Sequence, residues 1–459
     1  MKMVLHVVLK PRAAHCCRGK TMNVIILSGG SGKRLWPLSN EIRSKQFIRL
    51  LKDENGEYES MAQRVIRQLT TVDPEVQITI ATSKSQVSTI RSQLGEKVAV
   101  CVEPSRRDTF PAIALAAAYL HDELGVDESE CVVVCPVDPF VEIEYYQSVK
   151  ALESLVKEDR AKLTLLGVEP TYPSDKYGYI IPGDSGRISE VKEFCEKPDT
   201  WKAKEYLAQD ALWNSGVFAF RLKYMIDKLH EMTSYTDYRD LYAKFDSLPC
   251  ISFDYAVAEK EPSCQVVRYS GEWKDIGTWN MMAEVMADVT KGNVMLDDTC
   301  TNTQVVNELD VPILCMGCKD MVIAASCDGI LVTDKEQSGY MKPYVEKIKE
   351  QARYIEKSWG TYAVIDMQPG SLTVKVSLTA GNQMKYHSHE QRDEVWNILS
   401  GQGRCVVDGM EQIVRPGDVI SVAAGCRHTL IAETDMSVIE VQIGTEISQK
   451  DKKVWNQCY

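Results

Sequence analysis

The sequence predicts an α/β domain with a mainly parallel sheet, then a short β linker and a C-terminal β-barrel. Three observations carry this. From Asn23 to about Arg268, β-branched apolar runs alternate with helical stretches. From about Gly292, short β-like pieces follow one another without helices. After Trp359 the chain is all short strands with glycine turns.

Each element follows from its pattern. NVIIL, VQITIAT, VAVCVE, CVVVCPV and LTLLGV read as strands. MAQRVIRQL, VSTIRSQL, PAIALAAAYL and YQSVKALESLV read as helices, with apolar residues every three or four positions. Such alternation builds βαβ units, with helices on both faces and ligands at the carboxyl ends of the strands. PILCMG, MVIAAS and ILVTD read as a β linker or a few coils of a solenoid, followed by a helix from Pro343 to about Arg353. The last part, from TYAVIDM to SVIEVQIG, has the turn spacing of about 8–12 residues found in sandwiches and barrels.

Composition excludes several classes. The 459 residues carry 53 Lys+Arg against 65 Asp+Glu, a net charge of −12. That balance leaves no electrostatic footprint for nucleic acid or an anionic membrane, so a phosphate-bearing ligand needs a local basic pocket. No apolar run approaches the roughly 18 residues that span a bilayer. The 15 cysteines are scattered through apolar runs, which reads as free core thiols in a reducing cytoplasm. Cys315-Met-Gly-Cys318 is a lone CxxC without a second pair and reads as a turn. Residues 1–21 have a charged start and an apolar stretch interrupted by His6, which suits neither a signal peptide nor the fold. We expect an unstructured or spurious extension there, with the folded chain beginning at Met22.

LSGGSGKRL follows the first strand directly. Gly29, Gly30 and Gly32 let backbone N–H groups approach a phosphate or base edge; a plain tight turn is the simpler alternative. Neither common phosphate loop fits, because GxxxxGK[ST] is absent and Trp36–Pro37 interrupts the helix a dinucleotide fingerprint needs. Arg34 and Lys45 place two cations beyond the loop, a planar fork and a point charge suited to a triphosphate. Asp138 ends an apolar strand, where open sheets hold ligands, although a turn-capping Asp looks the same. Asp275 could reach that point from a distant segment, and two carboxylates with phosphate oxygens suit octahedral Mg²⁺. Glu196–Lys197 could order sugar hydroxyls and a phosphate, or form a surface ion pair. Asn214, between Trp213 and Gly216, offers a donor and an acceptor to vicinal hydroxyls, or closes a turn.

GGSGKRLWPLSNEIRSKQF resembles the signature of sugar-1-phosphate nucleotidylyltransferases, most closely that of mannose-1-phosphate guanylyltransferases, with Ser44 where the family has Pro. The resemblance continues through EPSRRDTFPAIAL, with Asp108 where Asn is usual, then PVD, KYGYI, FCEKPD, WNSGVF, FDYA and WKDIGTW. It implies a Rossmann-like nucleotidyltransferase domain over 22–288. Ser28, Gly29, Gly30, Gly32, Lys33, Arg34, Glu103 and Arg107 would then hold the nucleotide, with Glu103 and Arg107 on the guanine side. Tyr177, Gly178, Glu196, Lys197, Asn214, Gly216 and Asp254 would hold the sugar phosphate. Asp138 and Asp275 would bind Mg²⁺, and these two with Arg34 and Lys45 would form the catalytic set. The implied reaction is attack by mannose 1-phosphate on the α-phosphorus of GTP, giving GDP-mannose and pyrophosphate. Its nucleophile is already an anion, so it needs no general base. The resemblance also implies a homodimer through the linker, residues 289–355.

Of the seven histidines, three fall between residues 387 and 428. Gly381-x5-His387-x-His389-x4-Glu394-x6-Gly401 matches the first cupin motif. Gly417-x5-Ala423-x-Gly425-x2-His428 matches the second, with Ala423 in place of Pro. In a strand the two HxH side chains share a face. With Glu394 and His428 arriving from neighbouring strands, they make a three-His, one-carboxylate site for Zn, Mn, Fe, Co or Ni, unless the barrel holds none. The cupin is expected over 356–459. Gln383–Met384 and Arg392-Asp-Glu-Val-Trp396 resemble fused enzymes ending in a type II mannose-6-phosphate isomerase, but the tail after Ile447 lacks that family's arginine. Three alternatives remain beside the guanylyltransferase expectation: another sugar 1-phosphate or nucleotide, an added isomerase activity, and a non-catalytic sugar-nucleotide sensor.

Overall fold

The computed structural model describes residues 21–30, 33–348 and 352–455. Gly32, residues 1–20 of the expected extension and the middle of the expected 343–353 helix lie outside them.

A nine-stranded sheet organises the first part. Its spatial order is Ala99–Glu103, Gln77–Ser83, Asn23–Leu27, Cys131–Pro136, Leu212–Arg221, Leu163–Val168, Cys264–Tyr269, Ile188–Cys195 and Tyr179–Pro182. The four strands from Ala99–Glu103 to Cys131–Pro136 are mutually parallel, as the βα alternation requires. Leu212–Arg221 runs antiparallel to both of its flanking strands, so the sheet as a whole is mixed. Starting at Asn23–Leu27, the chain builds outward on one side through Gln77–Ser83 and Ala99–Glu103, then returns to the other side as Cys131–Pro136. This reversal is the topological switch, and open sheets hold ligands in the crevice at the carboxyl ends of such strands.

Helices cover both faces. Met61–Val72 starts in a capping box, with Ser60 and Gln63 satisfying each other's backbone N–H groups. Thr109–Ala118 is apolar all round and buried from Phe110 to Ala118, as a helix must be when it lies between the sheet and further helices.

The linker stacks Thr290–Lys291, Gln304–Asn307 and Met321–Ser326 in parallel, with Val294–Leu296 beside Ile313–Cys315, the arrangement of solenoid coils. The helix expected from Pro343 is shorter, Lys342–Val345. Met341 and Val345 supply one buried apolar face, and the charged residues that follow give no second turn a surface to pack on.

The last part is a two-sheet barrel. Six strands, Tyr354–Lys357 to Val419–Val422, face five that include His387–His389, His428–Ala432 and the C-terminal Lys452–Val454. Trp396, Val374, Val376 and Leu430 fill the space between the sheets. Among the described residues, no helix is long and apolar enough to cross a membrane.

Candidate functional site

The glycine loop leaves the sheet at Ser28, on one side of the switch, and is built on a buried polar lattice. Gln46 Nε2 donates to the Ser28 carbonyl and hydroxyl at 3.1 and 3.0 Å. Gln86 Nε2 reaches the Gly30 carbonyl at 3.3 Å, while its Oε1 accepts from Thr82 at 2.7 Å. Ser44 Oγ also donates to the Gly30 carbonyl, at 3.1 Å. With the Ser28 and Gly30 carbonyls occupied from beneath, the described start of the loop is held from below. Beyond Lys33–Leu35, a single 3-10 turn, no helix follows, as Trp36–Pro37 requires; that bond is cis. Neither Gln46 nor Gln86 stood out in the sequence, because an amide at a strand or helix end carries no pattern of its own.

Glu103 ends its strand beside this loop. A Cβ on Gly29 would lie 3.5 Å from Glu103 Oε1, so the carboxylate stands against the start of the loop. Burial pushes its pKa up to about 7, partly opposed by Arg106. Two expected nucleotide residues have protein partners of their own. Arg107 Nε donates to the Leu248 carbonyl at 2.8 Å. Lys33 pairs with Glu41 at 3.1 Å near the surface.

Across the switch, Asp138 and Asp275 meet through a two-stranded ribbon. Pro139–Val141 pairs antiparallel with Trp273–Asp275, with Asp275 opposite Pro139. Lys45 Nζ lies 2.8 Å from Asp138 Oδ2 and donates to the Ile276 carbonyl at 2.9 Å. Burial raises the Asp275 pKa, opposed by Lys45, Arg34 and Lys176 and reinforced by Asp138. A Cβ on Gly277 would lie 3.5 Å from an Arg34 guanidinium nitrogen and 3.9 Å from Asp275 Oδ2, so Arg34 and Asp275 flank this glycine. Lys176 and Gly277 thus join the cluster without having been expected there. Both lie inside quoted motifs, KYGYI and WKDIGTW, where neither was given a role of its own.

The expected sugar residues form an adjoining cluster. Asn214 Nδ2 donates to Asp254 at 2.7 Å, and its Oδ1 accepts from Gly216 N at 3.0 Å. Lys197 pairs with Glu196 at 2.5 Å. A Cβ at Gly178 would collide with Glu196 Oε2, so only glycine allows this approach. That oxygen is buried and lacks a hydrogen-bond partner among the described residues. Burial raises the pKa of Glu196, with Asp254 adding to it, and burial likewise raises Asp254. Tyr177 joins the two clusters: its ring lies 4.9 Å from Trp213 and 5.3 Å from Trp273, two residues before Asp275.

In the barrel, the ligand atoms of His387, His389 and His428 lie within 4.8 Å of one another. Burial lowers the pKa of His387 to about 2 and of His389 to about 4, which leaves neutral imidazoles able to bind a metal. Lys385 O and Cys426 O accept at the Nδ1 atoms of His387 and His428, at 2.6 and 3.0 Å, leaving Nε2 toward the centre. Glu394 contacts His389 and His428 at 3.2 and 3.3 Å. It comes from the sheet opposite His428, not from a neighbouring strand, because the barrel folds the two motifs face to face. The tail lacks the arginine of the resembling family, as its sequence reads, but exposed Lys452 lies on the strand that pairs with His387–His389. Glu440 and Glu394 act on its charge, and it acts in turn on His387 and His389.

The fold and these clusters define a nucleotidyltransferase domain followed by a cupin. The nucleotidyl transferase family model matches residues 23–292, and the chain belongs to that family. A cupin domain model matches residues 374–442. The chain is 28% identical to a mannose-1-phosphate guanylyltransferase of Klebsiella pneumoniae, over 93% of this chain and 97% of that protein. It is 29% identical to the alginate biosynthesis protein AlgA of Pseudomonas aeruginosa, over 93% and 95%. A solved structure from Thermus thermophilus, described as a mannose-1-phosphate geranyltransferase, superposes with a TM-score of 0.60 at 27% identity. It covers 72% of this chain and 100% of its own. The protein is therefore a transferase of nucleotidyl groups.

Proposed function

We propose that the protein transfers GMP from GTP to mannose 1-phosphate, forming GDP-mannose and pyrophosphate. One observation carries this reading: the ribbon that sets Asp138 and Asp275 beside Lys45 and Arg34 at the switch point. The carboxylate oxygens of this pair fit Mg²⁺, which favours few protein ligands and phosphate oxygens. Asp138 and Asp275 would hold the ion, which when bound neutralises charge on the reacting phosphates.

The chain's own residues do the rest. Backbone N–H groups of the glycine loop and Arg34 hold the triphosphate, and Glu103, once ionised, accepts from the N–H edge of guanine. Glu196, Asn214 and Asp254 order the sugar hydroxyls, and Lys197 lies beside them for the sugar phosphate. Lys45 neutralises charge that grows at the α-phosphoryl oxygens, and the aligned phosphate attacks without losing a proton. Phosphorus NMR of GTP, mannose 1-phosphate and Mg²⁺ with the protein tests this. GDP-mannose and pyrophosphate should appear in equal amounts; GDP with inorganic phosphate would refute it.

The cupin residues favour a bound transition metal, held by His387, His389 and His428 with Glu394 beside them. Lys452, on the strand paired with His387–His389, is the observation that favours a second activity there on an anionic sugar, a mannose-6-phosphate isomerase.

A further inference from the structure

The short turn Lys45–Phe47 carries the cation of the transfer site, yet much of what grips it comes from outside the nine-stranded sheet. On its upstream side, Asn40 Nδ2 donates to Asp328 at 2.8 Å and to the Tyr354 carbonyl at 3.2 Å. Its Oδ1 meanwhile accepts from the backbone of Ile42 and Arg43, at 2.8 and 2.7 Å. Arg43, 7% exposed, forms a two-pronged pair with Glu308 at 2.7 and 2.9 Å. Glu308 and Asp328 belong to the linker.

The downstream grip comes from the first strand of the cupin sheet. Glu356, 4% exposed, accepts from Arg49 at 3.0 Å, Ser92 at 2.9 Å and Gln93 at 3.0 Å. Gln93 passes this on by donating to the Phe47 carbonyl at 2.9 Å. Tyr354–Lys357 is itself paired with Gly360–Gln368, so the carboxylate is anchored in the barrel. The turn is thus held between two carboxylates supplied by later parts of the chain, Glu356 buried and Glu308 half-buried.

We propose that Glu308 and Glu356 are positioning residues for nucleotidyl transfer, fixing the Lys45–Phe47 turn from either side. This rests on the reading that Lys45 acts on the transferred phosphate. A buried, fully partnered carboxylate locks its donors in place, whereas its amide leaves a charge unpaired and frees the segment. On this account the linker and the first cupin strand belong to the transfer site, although neither touches substrate.

The test uses the full chain with E308Q, E356Q and the paired R43Q/E308Q, measuring kcat, KM and amide hydrogen exchange. Each single variant should lose about tenfold in kcat while KM for the sugar 1-phosphate stays within about twofold. Exchange should quicken over residues 42–47, with the strand Cys131–Pro136 as protected as in the parent. The paired variant, which leaves no unpaired buried charge, should recover most of the loss seen in E308Q. Parental kcat in either single variant, or unchanged exchange over 42–47, would overturn the assignment. So would losses that appear only where Cys131–Pro136 also exchanges and that the pair fails to restore. A parent chain without turnover would instead overturn the transferase reading, and this assignment with it.

Discussion

Lys45 Nζ stands 2.8 Å from Asp138 Oδ2 and also holds the Ile276 carbonyl, the residue that follows Asp275. One ammonium therefore bridges the two segments that carry the acidic pair. It restrains both carboxylates and offers a cation to a phosphate between them. Replacing Asp275 by Asn keeps the shape and removes the charge. Turnover should fall on the order of 100-fold, with melting temperature close to the parent's. Steady-state pyrophosphate release and a thermal melt check both halves, and parental turnover would remove Asp275 from the site.

Glu103 gives the reaction a pH signature. Its pKa, raised to about 7 by burial, leaves it protonated in mildly acidic solution, where it cannot accept a second N–H. KM for GTP should therefore fall as pH rises from 6 to 8, and Glu103→Gln should flatten the part of the profile due to this group. Stability runs the other way. Between the ordinary value of 4.5 and about 7 the native state holds the extra proton, so stability falls as pH rises through that window. Paired melts of the parent and Glu103→Gln at pH 5 and pH 8 measure the difference.

Gln86 supports the glycine loop without facing the crevice. Gln86→Leu breaks its bonds to Gly30, Ser44 and Thr82 and strands buried groups, costing about 1–3 kcal/mol of stability. KM for the nucleotide should rise severalfold while KM for the sugar phosphate holds. Equal changes in both constants would mean general loosening of the fold.

The cupin residues predict a separable metal. His389→Ala should lower the transition metal bound per chain, measured by elemental analysis after chelation and reloading, and leave pyrophosphate release unchanged. Parental metal content would remove His389 from the ligand set.

Much of this layout was legible locally. Runs such as CVVVC announce buried strands, and Asp138 follows one at a place where open sheets collect ligands. HxH on one strand put two imidazoles on one face. Less legible was whatever depends on distant pairing. The ribbon joining Asp138 to Asp275 spans more than a hundred residues, and only motif resemblance pointed to Asp275. Gln46, Gln86 and Gly277 act through contacts that no periodicity encodes. Arg107 is a further case: its bond to the Leu248 carbonyl, across 141 residues, has no sign in the motif that carries it. Lys452 likewise comes from a tail whose sequence gave no sign of folding back against the histidines.

Pyrophosphate release is the most direct measurement, taken from the purified full chain with Mg²⁺, the four ribonucleoside triphosphates, dTTP and a panel of sugar 1-phosphates. The account predicts release with GTP and mannose 1-phosphate, abolished in Asp275→Asn. Release confined to another pair would contradict the proposed substrates, and no release with any pair would contradict the account itself.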